Sequence, residues 1–210
     1  LYNLKNDLHI ASGGDTLAEG IAVKHPGELS SRIILERVDE MRIVNEAIIE
    51  SAISLLLEVE KTVVEGAGAA GLATLLPTRD GNFRPEFEGR KVGIILTGGN
   101  IDSRFLANVI LRNLARSGRI GPTAIVLPDK VGALHEVSGI FTRHGANILE
   151  VSHQRIFGVT SAKNTVTDIE YEIRDPASLD ALQDDLIAAG YSFEMMAVSG
   201  GRKNVKGARG

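Results

Sequence analysis

VGIILTGGNID, residues Val92–Asp102, reads as a buried strand, a hydroxyl residue, a glycine turn and a helix start. Val92, Ile94, Ile95 and Leu96 form a short apolar run rich in β-branched side chains, which suits a strand covered on both faces. Gly98 and Gly99 allow close backbone approach or a positive φ. Asp102 or Ser103 can cap a helix running through Phe105, Leu106, Val109, Ile110 and Leu114. Thr97 therefore stands at the carboxyl end of a strand, beside a turn without side chains, where open α/β sheets bind ligands. On these eleven residues alone, the plain reading of a strand-to-helix turn containing a threonine is favoured.

Working outward, Asn45–Lys61 has Ala47, Ile48, Ala52, Leu55, Leu56 and Val59 at helical spacing, with Asn45 as N-cap. Pro26 and Gly27 punctuate the chain before Leu29, Ile33 and Ile34, which give one helical face. Met41–Val44 could form a short strand, and Leu1–Gly14 reads as irregular. In VVEGAGAAGLATLLP, Val63 and Val64 read as a strand or its end, and Glu65 stands where that strand stops. Gly66–Gly71 are all glycine or alanine, so a helix there packs very close to its neighbours. Glu65 is either a solvated acid favoured by a helix N-terminus or a carboxylate facing the same cleft as Thr97. Arg79–Gly89 reads as a polar loop.

The pattern changes after Gly118. Arg119–Leu127 is a strand candidate, and Asp129–Gly145 a helix with Ala133, Leu134, Val137, Ile140 and Phe141 on one face and Gly145 as its stop. Asn147–Ile156 reads as a strand. In Thr167–Ile173, Ile169, Tyr171 and Ile173 alternate with Asp168, Glu170 and Glu172, the mark of a half-buried antiparallel strand. Asp175-Pro176 opens a helix whose buried stripe is Leu179, Leu182, Leu186 and Ile187, ending at Gly190. Tyr191–Val198 is a last strand. The order βαββαβ predicts a ferredoxin-like sheet with both helices on one face. The expected division is 1–118, the end of a larger α/β domain; 119–198, a complete small domain; and 199–210, a basic, glycine-rich, disordered tail.

Composition narrows the class. The chain has 210 residues, 43% hydrophobic and 24% charged, with net charge −4. Nothing in that balance points to nucleic acid or an acidic membrane as partner. There is no cysteine, so disulfides, thiolate nucleophiles and cysteine metal sites are excluded. His9, His25, His135, His144 and His153 show no metal-ligand spacing, and no metal site is expected. No apolar run spans a bilayer and no signal peptide is visible, so the cytoplasm is the expected location. The chain opens at Leu1, which is read as the start of a fragment or processed product.

The succession DTLAEGIAVKHPGE, VVEGAGAAGLA and ILTGGNID resembles the carboxyl-terminal third of the catalytic domain of threonine dehydratases (threonine ammonia-lyases), fold-type II enzymes dependent on pyridoxal 5'-phosphate. The stretch LPDKVGALHEVSGIFTRHGANILEV resembles an ACT domain, an amino-acid-sensing βαββαβ module. The fold class implied is α/β: a partial fold-type II domain followed by a ferredoxin-like ACT domain. By resemblance, Thr97 matches the hydroxyl residue facing the pyridine nitrogen, where the family usually has Ser or Cys. Gly98 and Gly99 pass the ring edge, Gly20 and Ile21 line one side of the ring, and Glu65 is an acid near it. The family's Schiff-base lysine and phosphate-binding glycine loop lie in motifs that this chain does not contain. No catalytic residue is therefore assigned here, and the chain alone is expected to be inactive. The full-length enzyme would convert L-threonine, and L-serine as well, to the 2-oxo acid and ammonia.

In the ACT stretch, Asp129, Gly132, Ala133 and Leu134 stand at a strand-to-helix junction where helix N–H groups can receive a carboxylate. Asn147 and Ile148 could complete an amino-acid effector pocket, often formed across two ACT domains. Equally, Asp129 could be a simple N-cap and Gly132 a packing residue. Self-association into a homo-oligomer is expected from the sheet's edge and face. The alternative function is a non-catalytic, amino-acid-binding regulatory module.

Overall fold

The computed structural model describes residues 2–6, 16–77, 85–154 and 163–195. The chain divides into two compact units, Leu1–Asn113 and Leu114–Gly210. The expected loop at 79–84, strand end at 155–156 and tail at 199–210 lie outside the described residues.

The first unit is helical. It contains α1 (Tyr2–Asn6), α2 (Glu28–Arg37), α3 (Glu46–Leu55), α4 (Gly66–Ala73) and most of α5 (Ser103–Arg116). Asn45 accepts a hydrogen bond from the Ile48 N–H and caps α3. Asp102 accepts from the Phe105 N–H at 2.9 Å and opens α5. The helix expected to reach Lys61 is α-helical only to Leu55. A π turn, Leu56–Glu60, follows and ends at Lys61 in the left-handed region. The core is Ile49, Ala52, Ile53, Leu56, Val64, Ala69, Ala73 and Val109.

Several sequence expectations fail in this unit. Val92–Leu96 is not a buried strand: it forms no ladder, and Val92, Ile95 and Leu96 are exposed, Ile95 by 84%. A strand needs a bonded neighbour and covering layers, and the described residues of this unit supply neither. Met41–Val44 and Val63–Val64 form no strand for the same reason. Helix α2 forms as expected, but buries no residue, with Leu29 and Ile33 exposed. The start expected to be irregular contains α1.

The second unit realises the expected order. It contains β1 (Ile120–Pro128), α6 (Ala133–Arg143), β2 (Ala146–Gln154), β3 (Asn164–Ile173), α7 (Ala177–Ala188) and β4 (Ser192–Met195). The sheet order is β2-β3-β1-β4, with every pair antiparallel. Sheet residues Ile125, Leu127, Ile169, Tyr171, Ile173 and Phe193 meet helix residues Val137, Ile140, Phe141, Leu182 and Leu186 in one core. The Phe141 and Tyr171 rings lie 6.1 Å apart between centroids. A Cβ on Gly121 would come within 3.0 Å of the Tyr171 hydroxyl, so glycine makes room for the phenol. Burial pushes the Tyr171 hydroxyl up to about 12.

Two details differ from expectation here. α6 starts at Ala133, not near Asp129, because Gly132 takes a φ of +91° and acts as its N-cap. Asp129 is not that cap; its N–H donates to the Lys163 carbonyl at 2.8 Å. Ile187 is at the edge of the α7 stripe and is exposed, whereas Leu182 and Leu186 are fully buried.

Candidate functional site

Helix α4 organises the first unit's candidate site. Glu65 precedes it with extended backbone (φ −74°, ψ 166°). Its N–H donates to the Gly98 carbonyl at 2.9 Å, and its carbonyl accepts from the Ala69 N–H. Gly98 has a φ of +66°, and a Cβ there would overlap the Glu65 carboxyl group. A Cβ on Gly20 would lie 3.4 Å from the Glu65 Oε1 and 3.1 Å from the Ala67 Cβ. A Cβ on Gly99 would approach the Val63 carbonyl at 3.2 Å. The structure thus brings Gly20 and Gly98 against the Glu65 carboxylate, while Gly99 meets the Val63 carbonyl. Thr97 joins through its backbone, and its side chain is exposed. Ile21 is 61% exposed in a short 3-10 turn, Glu19–Ile21.

A cavity of about 1170 Å³ opens beside this cluster and includes Gly20, Glu65 and Gly66 in its wall. Thr97 and Ile21 are not among its lining residues. Glu19, Glu46, Glu50, Glu65 and Asp102 give it five carboxylates, and Arg112 is the one cation among the described lining residues. Glu46 is spoken for: its carboxylate accepts from the Thr16 hydroxyl at 2.7 Å and the Leu17 N–H at 2.9 Å. Glu50, buried on α3, pairs with Arg112 at 3.2 Å. A wall of this charge repels a phosphate. The acidic lining therefore does not suit the phosphate group of pyridoxal 5'-phosphate. The glycines around Glu65 make room for the protein's own atoms: the Glu65 carboxyl group beside Gly98 and the Val63 carbonyl beside Gly99.

Sequence reasoning missed Glu46, Glu50 and Arg112. A buried acid at Glu50, next to the apolar positions Ile49 and Ile53, was the available signal.

The second unit's candidate positions separate into two groups. Asp129 and Gly132 are exposed at one end of the sheet, Ala133 is buried, and Leu134 is 37% exposed. Asn147 pairs with Glu172, while Pro128 pairs with Asn164. Those rows are eight residues apart along β3, about 26 Å at 3.3 Å per residue. One copy of the sheet does not bring Asn147 and Ile148 to the Asp129 loop. Near that loop, Glu136 in the first turn of α6 accepts from the Tyr191 hydroxyl at 2.8 Å and pairs with Lys130 at 3.6 Å. The Tyr191 bond, with Lys130 beside it, holds the Glu136 carboxyl below its usual range. Burial and the same bond push the Tyr191 hydroxyl up to about 12.

Comparison with known proteins agrees with both halves. The family described as "Pyridoxal-phosphate dependent enzyme" matches residues 3–98, and "ACT domain" matches residues 123–187. The chain thus matches part of a pyridoxal-phosphate dependent enzyme domain, followed by an ACT domain. It is 39% identical over 184 residues to the L-threonine ammonia-lyase of Thermotoga maritima, covering 88% of this chain and 44% of that protein. It is 36% identical to the L-threonine ammonia-lyase of Geobacter sulfurreducens, over 86% of this chain and 44% of that protein. The catabolic L-threonine dehydratase TdcB of Escherichia coli K12 is 40% identical over 87 residues, 41% of this chain and 26% of that protein. The chain thus spans less than half the length of these relatives. No helix of the described residues is long and apolar enough to cross a membrane.

Proposed function

We propose that this chain forms the ring side of the cofactor site and the regulatory domain of a pyridoxal-phosphate dependent ammonia-lyase. Its substrate is L-threonine, with L-serine as a second substrate, and its product is a 2-oxo acid plus ammonia. The observation that carries this reading is the packing of Gly20 and Gly98 against the Glu65 carboxylate, in a chain whose pyridoxal-phosphate enzyme match is followed by an ACT match.

The cofactor, when bound, supplies the electron sink that lets a proton leave the substrate's α-carbon and a hydroxyl leave its β-carbon. Thr97 would offer a neutral hydroxyl to the pyridine nitrogen of the bound group. A carboxylate there would hold a proton on that nitrogen; a hydroxyl does not. Gly98 and Gly99 would pass the ring edge, and Gly20 with Ile21 would bound one side. Glu65 fixes the turn through its N–H bond to Gly98. The family's lysine and phosphate loop have no counterpart among these 210 residues, so the chain alone does not carry the reaction. The ACT unit takes an amino acid, whose carboxylate meets the N–H groups of α6. Because Asn147 lies about 26 Å from that loop, a pocket using both needs two ACT units side by side, and hence an oligomer. We place the assembly in the cytoplasm.

The deciding experiment assays L-threonine deamination by this chain and by a protein that extends it upstream to the relatives' length, each with added pyridoxal 5'-phosphate. Activity only in the longer protein is expected. Absence of activity in both, with amino-acid binding retained by this chain, would replace the lyase reading with that of a sensing module.

A further inference from the structure

Two glycines of α4, Gly66 and Gly68, press against backbone atoms of other segments. A Cβ on Gly68 would overlap the Thr97 carbonyl oxygen and lie 2.8 Å from its carbon. A Cβ on Gly66 would overlap the Leu17 carbonyl and lie 3.0 Å from the Ala18 nitrogen. At 3.6 residues per turn, positions two apart point to opposite sides of a helix. So α4 separates the Leu17–Ala18 backbone from the Thr97–Gly98 backbone, touching each at a position where it has no side chain. Backbone carbonyls cannot swing aside as a side-chain end can. Gly71, on the same helix, would meet only the Ile94 Cγ2 at 3.0 Å.

We propose that Gly66 and Gly68 are positioning residues. They set the distance between Thr97 and the Thr16–Gly20 segment, with α4 as the rigid spacer. This rests on the reading that Thr97 and Gly20 face the cofactor, although the spacing can be tested without it. Gly68 governs the Thr97 side and Gly66 the Leu17 side. Each contact has a hydrogen bond as its reporter: Glu65 N–H to Gly98 O at 2.9 Å, and Leu17 N–H to Glu46 Oε2 at 2.9 Å.

The test uses the full chain and its variants Gly66→Ala, Gly68→Ala and Gly71→Ala, read by amide hydrogen exchange and NMR shifts. Gly68→Ala is expected to speed exchange at Glu65 by about tenfold, equivalent to about 1.4 kcal/mol, and to shift Thr97–Gly99, leaving Leu17 alone. Gly66→Ala should do the reverse, and Gly71→Ala neither. Wild-type NOEs from Gly68 Hα to the Gly98 amide and from Gly66 Hα to the Ala18 amide are expected, and they need no variant to fold. Missing NOEs would overturn the proposal. So would equal disturbance of both segments by all three variants. In a lyase-active longer protein, Gly68→Ala should lower kcat by about 100-fold with KM nearly unchanged, the cost of misplacing a reacting group by about 1 Å. Unchanged kcat there would overturn the Thr97 side. A longer protein inactive before mutation would sink the lyase reading, leaving the spacing to the amide data.

Discussion

In the second unit, β3 lies between β1 and β2 and both of its backbone edges are bonded. In the first, residues 91–98 run past α4 without a ladder, meeting it at Gly68 and Gly71 and bonding to Glu65 through the Gly98 carbonyl. Tyr171 is 2% exposed and Ile95 84%. Both units bury apolar side chains in a continuous core, but among the described residues only the second closes a sheet with helices over one face. The difference shows how differently two parts of one chain depend on covering layers. An amphipathic βαββαβ sequence carries its own cover. A run apolar at every position needs a layer on each face.

The sharpest way to break the comparison is Phe141→Ala. Phe141 is fully buried between sheet and helices. The loss of ring and packing should destabilise the second unit by about 3–5 kcal/mol. Urea unfolding followed by the amide signals of β3 would measure it. A loss below 1 kcal/mol would mean that this core is not the closed one described.

The second prediction concerns alkaline pH. Tyr171 and Tyr191 both have hydroxyls pushed up to about 12, the first by burial, the second by burial and the bond to Glu136. A group whose folded pKa is raised favours the folded state below its unfolded value near 10. That contribution disappears as pH climbs from about 10 through about 12. The second unit should therefore lose stability across that window, with phenolate absorbance rising late. Tyr171→Phe should remove one of the late-titrating groups. Normal titration of both phenols near pH 10 in the folded chain would contradict the burial described.

What could be read in advance follows the same division. The alternation of Ile169, Tyr171 and Ile173 with acids required one apolar face and received it. Gly145 and Gly190 end their helices with φ of +66° and +84°, and Asn45 and Asp102 open theirs. These signals are local, so their outcome depends on residues close in sequence. Val92–Leu96 departs from the expected strand because burial of a continuous apolar run depends on layers distant in sequence. The site divides likewise. Glu65 and Gly98 could be singled out as an acid and a turn glycine. That Gly66 and Gly68 face two different backbones depends on helix phase and neighbours far along the chain. Asn147 lies at the other end of the sheet from Asp129 because strand direction carries it there.

Ile95→Thr gives the smallest expected effect and the closest test of the exposed run. With Ile95 84% exposed, the substitution removes little buried area, and stability of this chain should change by no more than about 0.5 kcal/mol. A longer protein that covers residues 92–96 on both faces should lose about 1.5–3 kcal/mol, the cost of giving up a buried isoleucine. The difference between the two contexts then measures the covering layer directly. A cost above 1 kcal/mol in this chain alone would mean that the run is packed in solution. The contrast between the units would then come from association, and dilution should weaken the effect.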